Sequence, residues 1–183
     1  KDVGTLNSYW EANMELIDLI PEFNLYEKYW KVYTNTGAIQ PQYISADSVV
    51  LKSIIGEGSE ICGEVYNSVI GANVVIGKGT VVRDSIIMQG AEIGENCVLD
   101  KAIVAENCRV GDDVRIGVGE FAPSKFNPKV YNSDLAVIGE RTVIPDHVSI
   151  GRNTAVSGVT EAADYADGVL ESGESIIKAG VKA

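Results

Sequence analysis

Aliphatic residues in the middle of the chain recur every six positions and again every seventeen. Isoleucine or valine is followed by glycine at Ile70, Ile76, Ile93 and Val110, and the last three are seventeen positions apart. An α-helix repeats every 3.6 residues and a strand every two, so neither element alone explains the spacing. The pattern predicts stacked coils of about 17 residues, each divided into segments of six, six and five.

Each segment is predicted to supply one strand and one turn, which makes every coil three-sided and the stack a triangular prism. Inward side chains of successive coils would then lie above one another at the strand spacing of about 4.8 Å. Together they would build an apolar core that a single coil could not bury. The predicted stacking residues are Ile70, Ile76, Val82, Ile87, Ile93, Leu99, Val104, Val110, Ile116, Ile138, Ile144 and Ile150.

Residues that tolerate a positive φ angle recur at the positions where the predicted coils must turn. Glycine, asparagine and aspartate accept this backbone conformation most easily, and histidine is also enriched there. The predicted corner residues are Asn73, Gly79, Gly90, Asn96, Asn107, Asp113 and His147.

The period is disturbed in two places. Around residues 53–63 the phase slips by two positions, and residues 120–133 do not fit the columns. We therefore predict a β-helix over 44–160 with a protruding loop at 118–135, followed by a carboxyl-terminal tail, 161–183. A loop of this kind is where a repetitive scaffold can carry a binding function.

The outer surface of the predicted prism poses two further questions. Val75, Val81 and Val98 point outward by phase and form a candidate oligomer surface. The ends of the prism would expose unpaired strand edges, which need covering to prevent aggregation. The acidic stretch 161–175 and the aromatic segment before the coils are candidates for that role.

The first 43 residues have a different pattern. Residues 1–20 predict a helix, with Leu6, Trp10, Met14 and Ile17 at helical spacing in the sequence. Ser8 and Glu11 are expected to form its capping box, and Pro21 to end it. Residues 21–43 are rich in tyrosine and tryptophan and predict an ordered connector.

Composition narrows the classes of function. The formal net charge of −11 argues against a nucleic-acid surface, which needs clustered lysine and arginine. No apolar run reaches the length of about 18 residues that a membrane span needs. Three cysteines without CxxC spacing predict no zinc site and no disulfide framework, and favour the cytoplasm. Cys97 and Cys108 fall in inward columns and are interpreted as packing residues.

Positive charge is scattered along the coils. A small anion could still bind two arginines on adjacent coils together with Lys125 or Lys129 of the loop, because guanidinium groups bind phosphate in a bidentate manner. Each arginine taken singly is interpreted as a solvated surface residue. The arginines concerned are Arg83, Arg109, Arg115, Arg141 and Arg152.

The coils resemble the hexapeptide repeat of left-handed parallel β-helices, which implies a mainly β fold with a left-handed winding. The beginning of the chain identifies a narrower group. DVGT at 2–5, YWEAN at 9–13, the aromatic connector, QPQYI at 40–44, DSIIM at 84–88, VIGERTVIPD at 137–146 and VTEAADY at 159–165 together resemble the carboxyl-terminal part of bacterial glucose-1-phosphate adenylyltransferases. The resemblance covers the whole chain.

This resemblance implies a role for the chain within a larger enzyme. In that family an amino-terminal nucleotidyltransferase domain uses ATP and glucose 1-phosphate to make ADP-glucose and pyrophosphate for glycogen synthesis. Residues 1–20 would be the terminal helix of that domain. The aspartate of the DVGT motif, here Asp2, helps to hold the catalytic Mg²⁺.

The resemblance also implies what the coils contribute. In the family the β-helix packs against the catalytic domain, contributes to a homo- or heterotetramer and helps to form effector sites for sugar phosphates or nucleotides. The chain alone is expected to be inactive and to need no cofactor.

Two other interpretations stay open from the sequence. Hexapeptide acyltransferases also contain such coils and use a histidine as general base, a role that His147 would have to fill. A parent enzyme like mannose-1-phosphate guanylyltransferase would share the architecture and use a different nucleotide.

Overall fold

The computed structural model describes residues 2–18, 20–21, 23–25, 27–30 and 37–178. In these residues one α-helix precedes a series of short parallel strands that wind into coils. The helix, α1, spans Leu6–Glu15. Part of the predicted connector, including residues 31–36, and the end of the chain, 179–183, lie outside the described residues.

Six complete coils follow within the described ranges, each contributing three strands. The strands are, in coil order, β1 (Tyr43–Ile44), β2 (Val49–Leu51) and β3 (Ile54–Ile55); β4 (Glu60–Ile61), β5 (Glu64–Tyr66) and β6 (Val69–Ile70); β7 (Val75–Ile76), β8 (Val81–Arg83) and β9 (Ile86–Ile87); β10 (Glu92–Ile93), β11 (Val98–Asp100) and β12 (Ala102–Val104); β13 (Arg109–Val110), β14 (Arg115–Val118) and β15 (Ala136–Ile138); β16 (Val143–Ile144), β17 (Ser149–Gly151) and β18 (Ala155–Ser157). A short 3₁₀ helix, Ala162–Asp164, then leads to β19 (Val169–Leu170) and β20 (Ser175–Ile177).

Corresponding strands of successive coils pair in parallel and form three faces. The first strands of the coils make face A, the second strands face B and the third strands face C, with β19 added to face B and β20 to face C. The predicted parallel β-helix is thereby confirmed.

Strand pairing shows both the period and its disturbances. Val98 pairs with Val81 on one side and with Arg115 on the other, each seventeen positions away. Val49 pairs with Glu64, only fifteen positions on, because the turn after β4 is two positions shorter than its counterparts. The predicted slip of two positions near residue 60 is therefore confirmed. Across the insertion, Arg109 pairs with Val143, so the usual spacing is doubled there.

The twelve predicted stacking residues lie inside the prism, each with at most 4% of its surface exposed. They belong to one continuous cluster that also contains the small inward residues Val74, Ala91, Cys97 and Cys108. Full burial of an aliphatic side chain of this size contributes about 1.5–3 kcal/mol. Most of the buried hydrophobic residues of the described chain belong to this cluster.

All seven predicted corner residues have positive φ, between +55° and +73°. They occupy two corners, the one from face A to face B and the one from face C to face A. The third corner, from face B to face C, has its own positive-φ column, which the sequence analysis missed because two lysines and several spacings other than seventeen interrupt it. The members of that column are Lys52, Asn67, Asp84, Lys101, Asp134 and Asn153.

Buried hydroxyl groups tie neighbouring coils together at the corners. The Ser85 hydroxyl donates to the Arg83 carbonyl at 2.6 Å and accepts the Ala102 amide at 3.0 Å. The Thr80 hydroxyl likewise donates to the Gly94 carbonyl and accepts the Cys97 amide. These contacts satisfy turn backbone groups that are buried away from water.

Two expectations about α1 need correction. Its capping box pairs Thr5 with Ser8, whereas Glu11 accepts a hydrogen bond from Asn7. The helix ends at Glu15, with Leu16 as its C-cap, well before Pro21 is reached. A hydroxyl one turn earlier was better placed to cap the first free amides.

The β-helix also continues beyond residue 160. Strands β19 and β20 pair with β17 and β18, so much of the predicted tail forms an incomplete seventh coil. Tyr165 is 3% exposed, belongs to the core cluster, and its hydroxyl lies 2.9 Å from the Thr160 hydroxyl. The tail thus covers the end of the prism by placing an aromatic ring over the stacked core.

Candidate docking surface

Helix α1 packs across face C. The outward side chains of Ile86 and Ile103, together with Leu135, form a second apolar cluster. Leu6, Tyr9, Trp10 and Met14 of the helix pack against it. The amphipathic pattern of α1 thus positions the amino-terminal segment on one face of the prism.

Trp10 fixes the helix at the corner between faces B and C. Its indole Nε1 donates to the Asp84 carbonyl at 2.7 Å. The Lys101 ammonium lies 5.7 Å from the centre of the same ring, within cation–π range. Two positive-φ corner residues therefore serve as the attachment points of α1.

The side of α1 next to the one packed on face C carries further apolar groups, and these are only half-buried. No residue of the helix is fully buried. A cavity of about 470 Å³ runs along this side. Phe23 beside it is 59% exposed and Val3 is 48% exposed. The cavity is lined by Val3, Tyr9, Ala12, Asn13, Glu15, Leu16, Pro21 and Phe23.

A second cavity, of about 510 Å³, continues the first beyond Val3 and Tyr9. It is lined by Val3, Gly4, Thr5, Leu6 and Tyr9 from the helix start and by Lys129 and Val130 from the inserted loop, residues 119–135. We call the two cavities together the helix trough. An apolar depression of this kind on an outer surface is typical of an interaction site.

The inserted loop leaves the prism at a β-bulge in β14. The register with β17 shifts between Ile116 and Val118, and Gly117 has a φ of +80°. A Cβ at Gly117 would clash with the Asp100 carbonyl oxygen, so only glycine fits.

The loop is then anchored on the later coils. The buried Asn153 side chain donates to the Ala122 carbonyl and accepts the Asp134 amide, at 2.9 and 2.8 Å. Arg152 lies between the carboxylates of Asp100 and Asp134, at 3.9 and 3.8 Å. Both ends of the loop are therefore joined to the same corner of the prism.

The predicted anion site is not assembled from the arginines. Arg109 pairs with Glu92 and Arg141 with Glu140, each at 3.4 Å, and Arg83 lies over the Tyr66 ring. Lys125 pairs with Glu174 at 2.8 Å, a contact that raises the pKa of the lysine. Of the loop lysines, Lys129 lines the helix trough.

Asp2 lies at the exposed start of the described chain and accepts the Gly4 amide at 3.0 Å. Within the described ranges no group of three or more histidine, cysteine, aspartate or glutamate side chains is arranged to hold a metal ion. One exposed carboxylate does not make a Mg²⁺ site without further oxygen ligands. The role of Asp2 in holding Mg²⁺ stays a prediction.

His147 stands at an open corner with 75% of its side chain exposed, its Nδ1 3.3 Å from an Asp113 carboxylate oxygen. It lines neither cavity of the helix trough. Cys97 and Cys108 are buried, and burial raises the pKa of both thiols, for Cys108 to about 11. These surroundings match a corner role for His147 and packing roles for Cys97 and Cys108.

The outward valines lie where phase placed them. Val81 and Val98 are neighbours on face B and are half-buried, whereas Val75 lies on face A and is more exposed.

Among the described residues no helix has the length and apolar character to cross a membrane.

Comparison with known proteins narrows the assignment. Residues 40–126 match a family profile described as "GlmU-like, C-terminal hexapeptide", in keeping with a left-handed β-helix. A glucose-1-phosphate adenylyltransferase from Lachnospira eligens is 58% identical over 180 residues, which is 98% of this chain and 43% of that protein.

Two further relatives carry the same name. The Thermotoga maritima protein is 50% identical over 97% of this chain and 42% of its own length, and the Acetivibrio thermocellus protein is 41% identical over 98% and 42%. The chain spans about two fifths of the length of the curated relatives it matches, at their carboxyl-terminal end. By sequence and by fold, the chain belongs to the glucose-1-phosphate adenylyltransferase family and corresponds to its carboxyl-terminal hexapeptide-repeat portion.

Proposed function

We propose that the chain is the assembly and regulatory portion of an enzyme that makes ADP-glucose and pyrophosphate from ATP and glucose 1-phosphate in the cytoplasm. In this proposal the preceding nucleotidyltransferase domain binds ATP and Mg²⁺ and performs the chemistry. The coils hold that domain in place, contribute to a tetramer and take part in the response to a sugar-phosphate or nucleotide effector. No nucleic acid or membrane is involved.

The helix trough is the observation that carries the proposal. One side of α1 is attached to face C through Trp10 and its apolar neighbours. Beside it, the half-buried Ala12 and Leu16 and the exposed Val3 line an open cavity. A helix whose apolar surface extends beyond the side already packed is suited to contact a second body. The nucleotidyltransferase domain that precedes this portion in the relatives is the second body.

Face B supports the proposed oligomer. Val81 and Val98 form a flat apolar pair in its centre, and the neighbouring coils carry Glu64 and Arg115 in the same outward column. Apolar residues surrounded by charge are the usual arrangement of a subunit contact.

Association with the upstream domain tests the proposal. The portion of the Lachnospira eligens relative that precedes its matched region would be mixed with this chain and the mass of the complex measured by light scattering. We expect a complex, and we expect Ala12→Asp to weaken it at least about tenfold because a carboxylate would be buried in the trough. Lys78→Glu, at the exposed corner opposite face C, is the matched control. Absence of any complex with the unmodified chain would contradict the proposal.

A further inference from the structure

The inserted loop follows a path that is held by the last coils. The Lys125 amide donates to the Gly173 carbonyl at 2.7 Å, and its ammonium pairs with Glu174. Asn153, which is fully buried, holds the Ala122 carbonyl. Asn153 also accepts the Asp134 amide, so the loop is held on the last coils at both of its ends.

The middle of the loop lies beside the start of α1. Lys129 and Val130 close one side of the 510 Å³ cavity, and Val3, Leu6 and Tyr9 form the other side. Val130 is 42% exposed, although it lies beside these apolar residues. A half-exposed valine facing an open apolar cavity has surface left for a further partner.

The position of Asp2 indicates which partner is nearest. The relatives have more than half of their length outside the matched region, and that region is their carboxyl-terminal end. In a polypeptide of that plan the upstream domain would enter at Asp2, which is adjacent to Val3 in the cavity wall. The body that reaches this cavity first is therefore the upstream domain.

We propose that the inserted loop is a second docking element for the nucleotidyltransferase domain, with Val130 packed against that domain and Lys129 at the rim. This inference rests on the proposed function and adds to it. Helix α1 would join the upstream domain to face C, and the loop would join it to the sixth and seventh coils through Asn153 and Glu174. Two separate attachments would fix the orientation of the domain, which one helix alone cannot do.

Cysteine labelling in a chimera tests the loop contact. The chimera carries the upstream portion of the Lachnospira eligens relative followed by this chain, with Cys62 replaced by serine. Val130→Cys, Ala12→Cys and Lys78→Cys are introduced singly, and the labelling rate at each position is read by peptide mass spectrometry. The same variants are labelled in the chain without the upstream portion.

We expect Val130→Cys to label at least about tenfold more slowly in the chimera than in the chain alone, because water is excluded from the centre of an interface. Lys78→Cys should label equally in both. Equal rates at position 130 with protection at position 12 would overturn the loop contact while leaving the proposed function intact. Loss of protection at both positions would refute both.

Two further outcomes also contradict the loop contact. If position 130 is protected only after a hexose phosphate is added, a small ligand and not the domain fills the cavity. If positions 130 and 78 are slowed alike, the protection is not local.

Discussion

Single residues at the corners of the prism are restricted by backbone conformation more than by contacts. His147 has a φ of +61° and Asn96, two coils earlier at the same corner, has +55°. In this region the Cβ of an ordinary residue crowds the following carbonyl, at a cost of roughly 1–2 kcal/mol. Asparagine and glycine are the types that tolerate it best.

Substitution of His147 separates a corner role from a catalytic one. His147→Asn should leave the free energy of unfolding almost unchanged, whereas His147→Val should lower it by about 1–2 kcal/mol. Urea unfolding followed by circular dichroism measures the difference. The acyltransferase interpretation predicts acetyl-CoA turnover that both variants abolish; we expect no turnover in the unmodified chain. Acetyl-CoA turnover that depends on His147 would show that this residue has a catalytic role in addition to its place at the corner.

The cysteines give a second prediction at this scale. Burial raises the pKa of Cys108 to about 11 and also raises that of Cys97, so both thiols stay protonated at pH 8. In the folded protein we expect a thiol reagent to modify Cys62, which is half-buried, and to leave the other two unmodified. All three should react in denaturant. Rapid modification of Cys97 or Cys108 in the native state would show that the coils open locally.

At the scale of elements, the segments that connect or follow the short strands determine where the regular coils are interrupted and where they end. The bulge at Gly117 starts the inserted loop, and the tail forms the seventh coil over Tyr165. Both are places where the regular period ends and a specific contact replaces it.

Gly117→Ala is expected to lower the free energy of unfolding by about 2 kcal/mol or more, because the new methyl group meets the Asp100 carbonyl and the positive φ disfavours alanine. Gly37→Ala is the matched control, since nothing lies within 4 Å of its Cβ position. Urea titration compares the two. Equal stability of the two variants would mean that the bulge relaxes without cost.

The seventh coil should loosen in acid. The pKa of the Asp164 carboxyl lies below its ordinary value, first because of the Lys178 ammonium 2.5 Å away and then because of the Glu161 amide. The contribution of this group to stability is present above about pH 4, the usual aspartate pKa. It is lost as the pH falls through the lower folded pKa.

Hydrogen exchange of residues 162–178, compared between the unmodified chain and Asp164→Asn, measures this effect. We expect the unmodified chain to exchange more slowly at pH 6 and the difference to vanish as the pH falls below 4. Lys178→Met should reduce the difference but not abolish it, because the Glu161 amide still donates to the Asp164 carboxylate. A difference that persists in strong acid would assign the protection to another contact.

At the scale of the whole molecule, the arrangement of the coils was predictable from the sequence, whereas the contacts of α1, the inserted loop and the tail with the coils were not. Ile76, Ile93 and Val110 lie in one column because inward aliphatic residues at a fixed period can be buried only by stacking. The cap at Thr5 was missed because two hydroxyl residues lie within one turn and only tertiary placement selects between them.

The candidate site was harder to predict. Val130, Val3 and Tyr9 line one cavity although the loop and the helix are far apart in the sequence, and no period links them. The seventh coil escaped detection because Val156 pairs with Ile176, twenty positions on, which breaks the period of seventeen. The third corner was missed because its members are not evenly spaced, from Lys52 to Asn67 by fifteen positions and from Asp134 to Asn153 by nineteen, and because lysine occupies two of its positions.

Removal of the inserted loop is the prediction that belongs to the whole molecule. Deleting residues 118–134 joins Gly117 to Leu135 and restores the ordinary one-coil spacing between Arg109 and its partner Val143. We expect this variant to fold, with the spectrum and cooperative unfolding of the parent, and to bind the upstream domain more weakly. Deleting 118–130 leaves the spacing out of phase and is the control. If the 118–134 deletion, which restores the spacing of seventeen, does not fold, the loop itself is needed to stabilise the coils.

The insertion between β14 and β15 doubles the sequence spacing of paired strands, from seventeen positions to thirty-four, on face A, face B and face C alike. The extra chain therefore has the length of one complete turn of the winding, yet it contributes no layer to the stack. Every side chain downstream keeps the direction it would have had without the interruption. Counting repeats along such a sequence overestimates the height of the particle by one layer, about 4.8 Å, and a protein of this kind can acquire or lose a projecting arm without re-encoding its later layers.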